Sequence, residues 1–186
     1  DDHHTLVIKV KDDLGNETVL DPIHFTIDKT PPVVVILDKL TNEPFTGGKF
    51  KRAVTPVVQI NDLTETLTNA VIVNRTTNSE SPWTSEQEIS SDGHYTLKVT
   101  VTDELNWVTV APPIDFTIDQ AAPVVTVTES GAPLVTNTIF NRDAKPKITV
   151  DDTTTTTVDA KLNDQPYASE TLVTEERKHT LVVKAT

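Results

Sequence analysis

Carboxylates are the only side chains in this sequence whose number and spacing suggest a chemical function. Asp and Glu number 28 in 186 residues, against 16 Lys and Arg, and the formal net charge is −12. Several acids stand just after short hydrophobic runs: Asp28, Asp62, Asp103, Glu104, Asp119, Asp151 and Asp152. Calcium takes about six to eight oxygen ligands, mostly carboxylates and carbonyls. These acids are therefore candidate calcium ligands, although no Asp-x-Asp-x-Asp-Gly loop is present.

The other polar residues do not indicate a catalytic site. His3 and His4 are neighbours, so on a strand they would point to opposite faces and chelate a metal poorly. His94 and His179 precede predicted strands, where they are expected at an edge. No Gly-x-Ser-x-Gly motif marks a serine nucleophile. The sequence therefore predicts no enzyme, and calcium is its only candidate cofactor.

Composition excludes several classes of protein. Cysteine is absent, which excludes disulfides, zinc–thiolate sites, iron–sulfur clusters and thiol catalysis. The acidic charge argues against binding to nucleic acid or to an anionic membrane surface. No run approaches the roughly 18 apolar residues of a spanning helix. A cysteine-free, threonine-rich, acidic β chain suits an extracellular protein on a bacterial surface.

The sequence repeats itself. Phe25-Thr26-Ile27-Asp28 recurs 91 residues later as Phe116-Thr117-Ile118-Asp119. An offset of 90 then pairs Asp62 with Asp152, and one of 84 pairs Trp83 with Tyr167. The drop from 90 to 84 places six extra residues within 74–81, which their polar composition predicts to be a surface loop.

Short runs of alternating hydrophobicity predict strands throughout. Residues 5–11 and 95–102 alternate most clearly. Further β runs are 33–37, 56–60, 70–73, 114–118, 124–128, 147–150, 158–162 and 180–185. About seven strands in roughly 90 residues is typical of an antiparallel β-sandwich. Residues expected to face inward are Leu6, Ile8, Val10, Val58, Ile60, Leu97, Val99, Val101, Ile148, Val150, Leu181 and Val183.

Several segments together resemble bacterial immunoglobulin-like (Big-type) repeats. They are 93–103, the Phe-Thr-Ile-Asp segment at 116–119, Pro123-Val124-Val125, and the Asp-x-x-Gly-Asn hairpin at 12–16. The second hairpin departs from that pattern with Leu105-Asn106-Trp107. The resemblance implies an all-β fold of tandem immunoglobulin-like sandwiches, about 90 residues per repeat, as found in large surface proteins and adhesins.

Aligning the repeats predicts the domain organisation. Residues 1–29 hold the last hairpin, strands F and G, of a preceding repeat; 30–120 form a complete repeat; 121–186 form a repeat that lacks its last strand. In this topology, Asp28, Asp62, Asp103 and Glu104 converge at one junction, and Asp119, Asp151 and Asp152 belong to the next. The resemblance also implies interdomain calcium, which some giant adhesins of this type bind. Alternatively, Asp12 and Asp103 only brace hairpin turns, and Asp28 and Asp119 cap strand exits.

These features predict a non-enzymatic, extracellular stalk or spacer whose partners are neighbouring repeats of the same chain or fibre. Linkers Lys29-Thr30 and Gln120-Ala121 are short, and Pro31, Pro32 and Pro123 stiffen the chain beyond them. One alternative is a module that binds a surface glycan or host protein through the insertion or Trp83. Another is an accessory domain of a secreted polysaccharide-degrading enzyme. Trp83 and Tyr167 are expected mainly as core residues.

Overall fold

The computed structural model describes residues 1–186, which form strands and turns without a helix. The strands of the first part are β1 (Asp2–Leu6), β2 (Lys9–Lys11), β3 (Glu17–Val19), β4 (Ile23–Ile27), β5 (Val33–Asp38), β6 (Gly48–Phe50), β7 (Pro56–Asn61), β8 (Thr66–Asn74), β9 (Ser79–Pro82), β10 (Gly93–Asp103), β11 (Val108–Val110) and β12 (Ile114–Ile118). The later strands are β13 (Val124–Glu129), β14 (Ala132–Pro133), β15 (Lys147–Asp151), β16 (Val158–Leu162), β17 (Gln165–Pro166) and β18 (Leu181–Ala185). The chain divides into two compact units, 1–118 and 119–186. No helix is present with the length and apolarity that crossing a membrane requires.

An immunoglobulin-like β-sandwich forms the main body of the first unit. One sheet has the order β6-β12-β10-β8-β9, with β11 also paired to β10, and the facing sheet is β5-β7. Every pairing is antiparallel except β6 with β12. The alternation along β10 points Leu97, Val99 and Val101 into the core, where they pack with Ile36 and Val54.

The first 27 residues form two further pairs of strands. β1 pairs with β4, and β2 pairs with β3, so none of these strands joins the sheets of the sandwich. Equivalent residues 91 positions apart differ in burial as a result. Phe25 is 46 % exposed, whereas Phe116 at the equivalent position is 3 % exposed because the sandwich covers it.

The prediction that Leu6 and Val10 face inward is wrong, since both are exposed. Alternation places side chains on one face of a strand, but burial also needs a second layer on that face. The facing sheet β5-β7 supplies that layer for β10, and no such sheet covers β1 and β2. Of the other residues expected inside, Leu97, Val99 and Val101 are fully buried. The remainder are partly buried: Ile8, Val58, Ile60, Ile148, Val150, Leu181 and Val183.

The second unit has two three-stranded antiparallel sheets, β14-β13-β15 and β17-β16-β18. Its connections repeat those of the first unit at the offsets seen in the sequence. A bridge between Ala144 and Val173 corresponds to one between Val54 and Ile89. Tyr167 is the buried aromatic residue of this unit.

The six-residue insertion extends a hairpin. A turn at residues 75–78 joins β8 to β9, and the corresponding turn between β16 and β17 is only Asn163-Asp164. Both of those residues have positive φ, as a two-residue hairpin turn requires. The insertion is exposed, as expected of a surface loop, but residues 79–82 form strand β9 instead of irregular chain.

Candidate metal centre

Three of the candidate acids come from separate places in the chain and meet in the first unit. Asp28 follows β4, Asp62 follows β7, and Asp103 is the last residue of β10. Each can offer a carboxylate oxygen, and these oxygens all lie within 4.8 Å of one another. Calcium–oxygen distances are about 2.3–2.6 Å, so two ligands on opposite sides of one ion lie about 5 Å apart. The spacing of the three carboxylates therefore suits one shared calcium ion.

Each carboxylate also accepts hydrogen bonds within its own turn, through Oδ1. The amide of Thr30 donates to Asp28 at 3.1 Å, and the amide and hydroxyl of Thr64 both donate to Asp62 at 2.9 Å. Asp28 thus has the strand-exit role that the sequence allowed as an alternative to calcium. Its second oxygen, Oδ2, has a long contact of 3.4 Å with the hydroxyl of Thr64. The bonds to Oδ1 are therefore compatible with a cation at the other oxygens.

One carboxylate oxygen of Asp103, Oδ2, has surroundings that favour a bound cation. Asp103 is 5 % exposed, and its Oδ2 is buried without a hydrogen-bond partner. Its Oδ1 accepts from the amides of Leu105 at 2.9 Å and Trp107 at 2.8 Å. An ionised oxygen removed from water and left unpaired is costly unless a cation compensates it. The donor set and this orphaned oxygen both fit calcium.

Glu104 and Asp151 lie outside such a group. Glu104 is exposed, and its amide donates to the carbonyl oxygen of Glu65. Asp151 ends β15 opposite Val124 and is also exposed. Glu104 lies in the turn after β10, and Asp151 ends β15, where successive side chains point in opposite directions.

Asp119 and Asp152 form a smaller version of the cluster in the second unit. The hydroxyl of Thr154 lies 2.7 Å from Oδ2 of Asp119 and 3.1 Å from Oδ1 of Asp152. The backbone amide of Thr154, 2.7 Å from Asp152, is the main cause that lowers the pKa of that carboxyl. Oδ1 of Asp119 is buried without a hydrogen-bond partner, like Oδ2 of Asp103.

Two threonines that the sequence pattern did not indicate link these acids. Thr64 bridges Asp62 and Asp28 as Thr154 bridges Asp152 and Asp119. The signal was available, because the two threonines are separated by the same 90 residues as Asp62 and Asp152. Several other threonines lie near both positions, so the sequence did not single out these two.

Trp83, Tyr167 and His94 are held by hydrogen bonds within the fold. Trp83 is 3 % exposed, and its Nε1 donates to the carbonyl oxygen of Gln87 at 3.1 Å. Tyr167 occupies the equivalent place, since the amides of Trp83 and Tyr167 donate to Ala70 and Ala160. Nδ1 of His94 lies 2.9 Å from the hydroxyl of Thr117.

Comparison with known proteins agrees with this architecture. The family model described as bacterial Ig-like domain (group 3) matches residues 82–164, which is about the length of one repeat. The match begins at the end of β9 and ends in the turn after β16. No curated protein matches the chain. This match and the all-β sandwich fold support a bacterial Ig-like domain that includes residues 82–164.

Proposed function

We propose that this chain is a non-enzymatic spacer segment of a bacterial extracellular repeat protein, and that calcium stiffens it. The calcium proposal rests on the group formed by Asp28, Asp62 and Asp103, and on the buried Oδ2 of Asp103, which has no hydrogen-bond partner. The extracellular and structural parts rest on the Ig-like domain, since such domains typically occur in surface proteins.

The position of the group explains how calcium would stiffen the chain. Asp28 belongs to the segment that leaves the β1–β4 hairpin, whereas Asp62 and Asp103 belong to the sandwich. Like charges at 4 Å repel by about 1 kcal/mol per pair in water, and by more in a medium of lower dielectric. A bound calcium ion would replace this repulsion by attraction and tie the hairpin to the sandwich.

The chain between hairpin and sandwich is already restrained. Asp1 accepts hydrogen bonds from the amide of Lys29 and the hydroxyl of Thr30, both at 2.9 Å. Pro31 and Pro32 follow immediately and fix the backbone angle φ. Calcium would thus lock a short connection that has little freedom to begin with, which suits a spacer.

The second unit supports a weaker site of the same kind. Asp119 and Asp152 supply two carboxylates instead of three, and Asp119 has the buried unpaired oxygen. Because calcium affinity increases with the number of charged ligands, we expect this pair to bind more weakly than the group in the first unit.

Carbohydrate binding was suggested by two features, the insertion and Trp83, and Trp83 is not accessible to a sugar. A sugar-stacking residue must expose the face of its ring, and Trp83 and Tyr167 are both buried. The exposed insertion hairpin 74–82 remains, but it contains no aromatic residue. The spacer function is therefore the one that the observations favour.

Thermal unfolding of the full chain in millimolar calcium and in EDTA tests the proposal. Trp83 and Trp107 are the two tryptophans and both lie in the first unit, so their fluorescence reports its unfolding. Ligand binding to the folded state adds about 2.7 kcal/mol when calcium is at 100 times its Kd. We expect calcium to raise the midpoint of the parent chain by several degrees.

Two variants assign that effect to the cluster. Asp62→Asn combined with Asp103→Asn should abolish the calcium-dependent shift, since it removes two of the three charges. Glu104→Gln is the matched control, because Glu104 neighbours Asp103 and lies outside the group, and it should keep the full shift. An unchanged midpoint of the parent chain in millimolar calcium would reject the metal and leave the acids as turn-forming residues.

A further inference from the structure

Two hairpins of this chain have the same backbone design. In the first, the amide of Asp12 donates to the carbonyl of Asn16 and the amide of Gly15 to the carbonyl of Asp12. Oδ1 of Asp12 then accepts from the amides of Leu14 at 3.0 Å and Asn16 at 2.8 Å. The amides of Asp12, Leu14, Gly15 and Asn16 thus all have partners within this tight turn.

The second hairpin, 91 residues later, repeats these bonds one for one. The amide of Asp103 donates to the carbonyl of Trp107, and the amide of Asn106 donates to the carbonyl of Asp103. Oδ1 of Asp103 accepts from the amides of Leu105 and Trp107. Gly15 and Asn106 both have positive φ at the fourth position of the turn. Because their backbone hydrogen bonds match, the two hairpins can be compared side chain by side chain.

The two hairpins differ at the second, fourth and fifth positions, and the difference at the fifth position changes the contacts of the first carboxylate. Nδ2 of Asn16 donates to Oδ2 of Asp12 at 2.6 Å, so both oxygens of that carboxylate are engaged. Trp107 stands at the same position in the second hairpin, 46 % exposed, and Oδ2 of Asp103 has no partner. The asparagine amide thus pairs the carboxylate oxygen that has no partner in Asp103.

The side-chain amide of Asn16 stabilises the negative charge of the Asp12 carboxylate, as a bound cation would. The side-chain hydrogen bond from Asn16 is the main cause that holds the pKa of Asp12 below its ordinary value. A positive dipole aimed at a carboxylate stabilises its charge and takes up a lone pair. A carboxylate with such a neighbour has less to gain from a metal ion, and one binding direction is blocked.

We propose that Trp107 makes the second hairpin competent for calcium, because it leaves Oδ2 of Asp103 open where an asparagine would close it. This inference rests on the proposed calcium function of Asp28, Asp62 and Asp103. The fifth hairpin residue thereby determines the affinity for calcium. An asparagine there pairs the second oxygen of the first carboxylate, whereas an apolar side chain leaves that oxygen free to bind a cation.

Two variants of the full chain test the proposal by calorimetric titration with calcium chloride. Trp107→Asn introduces the amide, and Trp107→Leu is the matched control that removes the indole without adding a donor. The first hairpin shows that asparagine is compatible with this turn, so Trp107→Asn is expected to fold. We expect Trp107→Asn to weaken calcium binding at least about tenfold, since hydrogen bonds to charged groups are among the strong ones. Trp107→Leu should stay within about threefold of the parent chain.

A second measurement does not depend on calcium. In EDTA, Trp107→Asn should unfold at a higher temperature than Trp107→Leu, because its amide pairs the buried oxygen of Asp103. In millimolar calcium the difference should shrink or reverse. Circular dichroism is the probe, since both variants lose a tryptophan.

The outcomes separate this inference from the proposed function. Equal calcium affinity in the two variants, with tight binding by the parent chain, overturns the role of Trp107 and leaves the calcium function standing. Absence of calcium binding by the parent chain overturns both. Equal midpoints of the two variants in EDTA overturn the premise that the amide reaches Asp103.

Discussion

Nη1 of Arg142 donates a 2.8 Å hydrogen bond to Oε1 of Glu129, a carboxylate that is only 5 % exposed. The guanidinium also lies over the ring of Phe140, 5.3 Å from its centroid. In the first unit, Arg52 repeats both contacts, with Asp38 and with Phe50. Each unit thus contains a buried carboxylate held by an arginine that packs on phenylalanine.

The Arg142–Glu129 pair predicts a loss of stability in acid. The hydrogen bond from Arg142 is the main cause that holds the pKa of Glu129 below its ordinary 4.5. A carboxyl whose pKa is lowered by folding stabilises the protein above its unfolded pKa, and that contribution disappears as the pH falls through the folded value. Stability of the second unit should therefore fall as the pH drops from about 4.5.

Urea unfolding at pH 7 and pH 3, followed by the NMR amide signal of Tyr167, measures this dependence. Arg142→Gln should reduce stability at pH 7 and flatten the difference between the two pH values. An acid sensitivity equal to that of the parent chain would contradict the assignment to this pair.

Loss of the equivalent arginine should destabilise the first unit. Arg52→Met keeps the packing on Phe50 but leaves the buried carboxylate of Asp38 unpaired, which we expect to cost about 2–3 kcal/mol. Tryptophan fluorescence during urea unfolding measures the change. Lys39→Met is the control: Lys39 pairs with Glu86 on the surface, and its loss should cost no more than about 0.5 kcal/mol.

Gly47 is the glycine whose replacement should be most damaging. Its φ is +88°, and a Cβ there would lie 2.2 Å from the carbonyl oxygen of Asp115. Gly47→Ala should cost about 2–4 kcal/mol, because positive φ and a backbone clash act together. Gly48→Ala is the control, with positive φ and open space, and should cost about 1 kcal/mol. Similar losses for the two variants would argue against the clash.

Tyr167 should make the second unit sensitive to alkali. Burial is the main cause that raises its pKa, and the nearby charge of Glu129 adds to it. Its hydroxyl lies 2.8 Å from the carbonyl oxygen of Pro146 and 3.0 Å from that of Thr171, so only the neutral form can donate to them. A raised pKa gives stability that is present below the unfolded value near 10 and is lost as the pH rises through the folded value.

Tyr167→Phe separates the two contributions of this hydroxyl. The variant should lose about 1 kcal/mol at pH 7 and should no longer weaken above pH 10 through this residue. Urea unfolding at pH 7 and pH 11, followed by circular dichroism, checks both expectations. A variant as sensitive to alkali as the parent chain would place the titrating group elsewhere.

Much of the fold follows from local sequence pattern. Alternation identified β10, and the predicted runs 114–118 and 158–162 coincide with β12 and β16. The offset of 84 residues paired Trp83 with Tyr167, which have equivalent contacts. Offsets of 91 and 90 connect Asp38 with Glu129 and Arg52 with Arg142, but the sequence pattern did not indicate their burial, because charged residues ordinarily lie on the surface.

The burial of side chains and the hydrogen bonding of individual carboxylate oxygens depended on tertiary structure. Phe25 and Phe116 share a sequence motif, yet Phe116 is buried among the rings of Phe45, Phe50 and Tyr95, whereas Phe25 stacks on His4 in an exposed pair of strands. Glu104 follows Asp103 directly but lies in the turn after β10, outside the acidic group. The sequence alone determined which acids follow which strands, through patterns that act over a few residues. The meeting of Asp28, Asp62 and Asp103, and the isolation of one buried oxygen among them, was decided by the tertiary structure, because segments distant in the chain come together only when the strands pair and pack.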